Sequence, residues 1–98
     1  MSNEFAVALY RRGPLWDRSR PIGEQDGLQG HFAYMGRLMG DGTIERGGPF
    51  YRADELVEGE LVALAVYTVP VAEATRLAAA DPAVAAGLME CDVMPWYT

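Results

Sequence analysis

The alternation of apolar and polar positions divides this chain into short elements. Phe5 to Tyr10 is an apolar run closed by Arg11-Arg12-Gly13-Pro14, which predicts a first strand and a turn. A polar, arginine-rich loop follows to about Gly23. From Asp26 to Met39 the apolar residues Leu28, Phe32, Met35, Leu38 and Met39 gather on one face at about 100° per residue, which predicts a helix. Gly40 and Gly42 flank its end as stops. Thr43 to Phe50 fits a second strand that runs out at Gly47-Gly48-Pro49, and Tyr51 to Gly59 is a charged connection. Glu60 to Val69 is apolar almost without interruption, as expected of a central strand buried on both faces. Pro70 opens a second helix at Val71 to Ala80. Pro82 ends it, because a residue before proline, here Asp81, is pushed out of the helical region. Leu88 to Trp96 then alternates, with Met89, Cys91 and Val93 on one face and Glu90, Asp92 and Met94 on the other, a fourth strand.

The predicted order is therefore βαββαβ. Right-handed crossovers place both helices on one face of an antiparallel sheet, the ferredoxin-like arrangement of the α+β class. At 98 residues the chain is a single domain, 1–98, and a chain of this size buries only about two-thirds of its unfolded surface. Nothing in it is left over to cover the second face of the sheet. A homodimer with two sheets facing each other is the expected solution.

Composition narrows the possible partners. The net charge is −6 with a pI near 4.6, whereas binding to a phosphate backbone or an anionic membrane surface requires a basic face, so neither nucleic acid nor membrane is expected. All eight positive charges are arginine, which together with the alanine and glycine excess reads as coding bias. Cys91 is the single cysteine, so no intrachain disulfide forms, and one Cys with one His does not make a zinc centre of the usual kind. No cofactor or metal is expected. The absence of a long apolar stretch, and an N-terminus carrying Glu4 with no early Lys or Arg, point to a cytoplasmic protein.

Candidate chemistry centres on His31, the one histidine, which falls between Met35 and Leu38 on the apolar helix face. It reads either as a core-edge histidine satisfied by one hydrogen bond or as a proton-transfer group, its ordinary pKa of about 6.5 being close to working pH. Asp81 reads as an N-cap with Pro82 at the first helical position, or as a carboxylate that orients an imidazole and stabilises its protonated form. Two oxygens allow both. The loop Arg11 to Pro21 sets Arg11, Arg12, Arg18 and Arg20 around Trp16, either a solvated loop with an apolar tether or a lid presenting guanidinium to an anionic substrate. Arg11, Arg20 and Trp16 are thus candidate substrate contacts. Tyr34, Tyr67 and Trp96 are candidates for an aromatic pocket, with core packing as the alternative. Gly47 and Gly48 read as backbone geometry, since no helix follows them to complete a phosphate site.

Four blocks in order, His31-Phe32-Ala33-Tyr34-Met35, Gly47-Gly48-Pro49-Phe50, Ala78-Ala79-Ala80-Asp81-Pro82, and Gly87-Leu88-Met89-Glu90 with Pro95-Trp96, resemble the YCII (YciI-like) family over nearly the whole chain. The chain departs from that pattern at Pro70, where relatives often have a capping Ser, and at Leu28, where some have a basic residue. The resemblance implies a dimeric α+β barrel with a His-Asp pair in a pocket beside the sheet. Related barrels include isomerases, dehydrochlorinases and cofactor-free oxygenases. The resulting expectation is a small dimeric enzyme, an isomerase or lyase, moving a proton on a small cyclic or anionic metabolite with His31 as general acid/base and Asp81 as its partner. A non-catalytic ligand-binding or accessory subunit and a cofactor-free oxygenase are the alternatives.

Overall fold

The computed structural model describes residues 4–50 and 61–98. Strand β1 (Glu4–Arg12) leads through a long loop into helix α1 (Leu28–Gly40) and strand β2 (Ile44–Pro49). Strand β3 (Leu61–Tyr67), helix α2 (Val71–Ala79), the single turn α3 (Pro82–Ala85) and strand β4 (Met89–Tyr97) complete the chain. The charged connection expected at Tyr51 to Gly59 lies outside the described residues. The four strands form one antiparallel sheet in the order β2-β3-β1-β4, which is the ferredoxin-like arrangement.

The two central strands carry matching segments, Ala6-Val7-Ala8-Leu9-Tyr10 and Ala63-Leu64-Ala65-Val66-Tyr67. They pair about their middle alanines, with Ala6 opposite Tyr67, Ala8 opposite Ala65 and Tyr10 opposite Ala63. Every large side chain on the helix-facing side is therefore matched by a methyl group across the ladder, the large-to-small complementarity that fills a core without voids. Ala6, Ala8, Ala65, Tyr10 and Tyr67 are all fully buried. By the two-residue period of a strand, Val7, Leu64 and Val66 turn to the other face, where with Met94, Pro95 and Trp96 they line an apolar depression of about 300 Å³.

Some boundaries differ from the sequence expectation for identifiable reasons. Helix α1 starts at Leu28 rather than Asp26 because Gly27 takes the left-handed conformation, φ 91°. Its core stripe is Leu28, His31, Met35 and Leu38, while Phe32 and Met39, expected on the same face, are 51% and 40% exposed. They flank the stripe where α1 overhangs β2, the edge of the sheet. The arginine-rich stretch contains a 3-10 turn at Ile22–Glu24 and is anchored internally. Buried Gln25 accepts from Asp17 N at 2.9 Å and donates to Asp17 O at 2.6 Å and Arg20 O at 2.9 Å. Gly13 N and Leu15 N donate to Leu88 O and Gly87 O, which ties the loop's entry to the start of β4. No helix among the described residues is long and apolar enough to cross a membrane.

Candidate functional site: a buried His-Asp pair beside an apolar cavity

Asp81 sits in the two-residue hinge, Ala80-Asp81, between α2 and α3. Pro82 forces it into extended backbone, φ −58° and ψ 128°, so its side chain turns back over the first turn of α3. One oxygen, Oδ1, accepts from Ala83 N at 2.9 Å as an N-cap. The other, Oδ2, lies 2.6 Å from His31 Nδ1. Both roles read from the sequence are thus served by one carboxylate, which is 0% exposed.

Glycine makes this approach possible. A Cβ at Gly30, the residue before His31, would lie 3.3 Å from Pro82 Cβ, so α1 and α3 touch through a position without a side chain. His31 itself is packed on two sides. The Tyr10 ring meets it in T-shaped geometry at 5.6 Å, and the Phe32 ring lies tilted at 5.6 Å. Tyr10 also directs its hydroxyl toward Met35 Sδ at 3.8 Å, and so contacts both His31 and the residue one turn later. With Nδ1 committed to Asp81, the ring nitrogen left for a ligand is Nε2.

His31 lines a cavity of about 220 Å³ between α1 and the β2 edge. Helix α1 contributes His31, Phe32, Met35 and Met39 to it. The sheet contributes Gly47, Gly48 and Pro49 from β2 and Ala63 and Leu64 from β3, and Ile22 closes the loop side. Among the described residues the lining is apolar apart from the imidazole. Such a cavity, mostly hydrophobic with one placed polar group, has the composition of a small-molecule site.

The other candidate residues stand elsewhere. Arg11 pairs with Asp92 and Glu90 across the β1–β4 ladder on the surface. Arg20 lies near Asp17 at 3.8 Å and Asp26 at 3.4 Å, and with buried Trp16 lines a much smaller hollow that shares Ile22 with the main cavity. Tyr34 donates to Leu77 O at 2.7 Å, linking α1 to α2, with the Arg37 guanidinium 5.0 Å above its ring. Tyr67 is fully buried in the core, and its hydroxyl has no hydrogen-bond partner among the described residues. None of these five side chains lines the cavity beside His31. Trp96 is half exposed on the opposite face of the sheet.

Behind the pair lies a second set of ionisable groups held neutral. Burial raises the Tyr10 phenol, and pushes the Tyr67 phenol and the Cys91 thiol each up to about 12, with nearby Asp81 adding to all three shifts. Among the described residues no group of three His, Cys, Asp or Glu side chains could hold a metal ion. Sequence reasoning missed Phe32, Met35, Met39 and Gly47 as cavity walls and Gly30 and Gln25 as supports. The glycine pair was the one visible sign, since glycines inside a strand mark close approach.

No family model matches the sequence, and no curated protein does. Among solved structures the chain is similar to 5-chloro-2-hydroxyhydroquinone dehydrochlorinase (TftG) from Burkholderia phenoliruptrix AC1100, in complex with 2,5-dihydroxybenzoquinone. The TM-score is 0.62 at 21% identity, covering 94% of this chain and 93% of that one. This likeness shows a shared α+β, ferredoxin-like fold.

Proposed function

We propose that the chain is a small proton-transfer enzyme, an isomerase or an eliminating lyase of the YCII type, acting on a small cyclic metabolite in the cavity beside His31. The observation that carries this reading is the 2.6 Å contact between His31 Nδ1 and Asp81 Oδ2, made by a histidine that also lines the cavity. A carboxylate on Nδ1 holds the imidazole in the tautomer whose Nε2 lone pair is free, and stabilises the imidazolium that forms when Nε2 takes a proton. His31 removes a proton from substrate C–H or O–H. The electron pair left behind either shifts the double bonds, with the proton returned at another atom, or expels a leaving group with its bonding pair. The dehydrochlorinase name of the similar structure fits the second course.

Homodimerisation belongs to this proposal. The depression lined by Val7, Leu64, Val66, Met94, Pro95 and Trp96 is almost wholly apolar and leaves Met94 and Trp96 more than 40% exposed. A second copy would bury it.

One observation favours the binding-only reading: among the described residues, no polar side chain other than His31 lines the cavity. Turnover separates the two. Once a thermal-shift screen of small cyclic compounds finds a ligand, His31→Gln should lower its conversion by about 10²- to 10⁴-fold with the fold retained. Unchanged conversion would remove His31 from the mechanism, and no conversion by the parent protein of any ligand that binds would support the binding-only reading.

A further inference from the structure

Every second residue of an antiparallel edge strand turns its N–H and C=O away from the sheet, where no neighbouring strand receives them. Strand β2 is an edge of this sheet, and its register says which residues these are. Gly48 lies opposite Leu64 and Pro49 opposite Ala63, while Phe50 N donates to Val62 O at 2.8 Å. The bonded pairs are therefore Phe50 with Val62 and Gly48 with Leu64, and the outward residues are Gly47 and Pro49. Proline fits such a position because the ladder does not use the N–H it lacks. Gly47 offers both groups to the edge, an N–H and a C=O side by side on extended backbone.

Those groups stand at the cavity. Gly47 is in the wall beside His31, and a glycine can line a cavity only with its backbone. Helix α1 rests on the face of β2, where a Cβ at Gly47 would lie 3.2 Å from Met35 Cε, and it overhangs the edge with Phe32 and Met39. Among the described residues no strand or side chain pairs with the Gly47 N–H or C=O. A donor and an acceptor so placed are selective. A carboxylate set on the N–H would face the lone pairs of the Gly47 oxygen, and a ketone would leave that oxygen without a donor. A ring amide carries its own N–H and C=O side by side, and repeats the two-bond exchange that a residue of a further strand would make.

From this we infer that the cavity takes a cyclic amide, a lactam, whose C=O accepts from Gly47 N–H and whose N–H donates to Gly47 O, with its ring alongside the helix overhang toward His31. The inference rests on the reading of His31 as the polar group of a small-molecule site, and adds the ligand's class and a backbone contact. Glycine at this position lets α1 settle on β2 while the peptide edge beneath the overhang stays bare.

The test is an NMR titration of protein labelled with carbon-13 and nitrogen-15, with 2-pyrrolidinone, N-methyl-2-pyrrolidinone and cyclopentanecarboxylate as probes. In the free protein the Gly47 amide should exchange with solvent faster than the Gly48 amide, which the ladder holds. Addition of 2-pyrrolidinone should slow that exchange, move the Gly47 amide proton and carbonyl carbon downfield, and shift the His31 ring. The other two probes lack the donor, and each should bind more weakly by about fivefold or more. An ester in place of the Arg46–Gly47 peptide bond, made by chemical synthesis, removes the Gly47 N–H and keeps the strand's donors to β3; it should erase most of that preference. Should the ester chain not fold, the exchange rates and probe preference of the parent protein decide alone. A Gly47 amide as protected as that of Gly48 in the free protein overturns the open edge. Either of the other probes binding as tightly as 2-pyrrolidinone, with His31 responding, overturns the ligand class and leaves the site at His31 intact. Silence of both His31 and Gly47 toward all three probes overturns the class and the site together.

Discussion

Replacing Asp81 by asparagine or by alanine separates the two uses of one carboxylate. Asparagine caps a helix nearly as well as aspartate, so Asp81→Asn should keep α3 while removing the negative charge beside His31. Alanine removes both, leaving Ala83 N without its cap and a buried imidazole N–H without an acceptor, at a cost of about 2–4 kcal/mol in total. Urea unfolding of the two variants checks this, and equal stabilities would mean that neither the cap nor the imidazole contact contributes. Tyr67 and Cys91 make the stability depend on pH. Their ordinary values are 10.0 and 9.0, and in the fold both rise to about 12 because burial disfavours the charged forms. Between about pH 9 and 12 the unfolded chain has released protons that the fold still holds, so stability is full below this window and falls as pH rises through it. The urea midpoint should therefore hold below about pH 9 and fall between about pH 9 and 12. A urea midpoint that stays level across this window would contradict the burial of these groups.

At the scale of elements, the site depends on how closely α1 approaches α3. Gly30 allows it, and Gly30→Val should overpack against Pro82 by about 1–3 kcal/mol and loosen the His31 to Asp81 contact, seen as a lower urea midpoint and a displaced imidazole resonance. A variant with the parent's midpoint and spectrum would show that α3 can move without consequence. The same elements explain what the sequence reveals and what it conceals. Strands and helices were legible because Leu28, Met35 and Leu38 recur at helical spacing and β3 is an unbroken apolar run. Phe32 and Met39 looked like core because periodicity cannot register that the sheet ends beneath them. Gln25 looked like loop surface, since its burial depends on the carbonyls of Asp17 and Arg20, which only the folded loop brings within reach. His31 and Asp81 are 50 residues apart, and their pairing was visible only through the family resemblance. Local pattern supplied the helix face for one and the cap for the other, and no local pattern encodes the contact. The arginines were legible as a cluster but not as members of separate surface ion pairs, because those partners come from β4 and from the loop itself.

For the whole molecule, the proposed homodimer predicts concentration-dependent behaviour. Burying Val7, Val66, Met94 and Trp96 against a second copy should give a dimer mass by light scattering at micromolar concentration and a thermal midpoint that rises with protein concentration. Trp96→Glu should shift the equilibrium toward monomer, because a carboxylate buried at the centre of an apolar contact finds no partner. A monomer whose midpoint does not depend on concentration would contradict the dimer and would leave a sizeable apolar patch exposed to water.

The proposed chemistry requires that Asp81 hold His31 with Nε2 free to exchange a proton with a ligand in the cavity. Nitrogen-15 NMR of the single histidine tests this most directly, because it reports each ring nitrogen separately. In the neutral ring the predicted result is a proton on Nδ1 and a lone pair on Nε2, with the Nε2 resonance moving on addition of a cavity ligand found by the thermal-shift screen and the Nδ1 assignment changing in Asp81→Ala. A ring protonated at Nε2, or an Nε2 resonance indifferent to every cavity ligand, would contradict it.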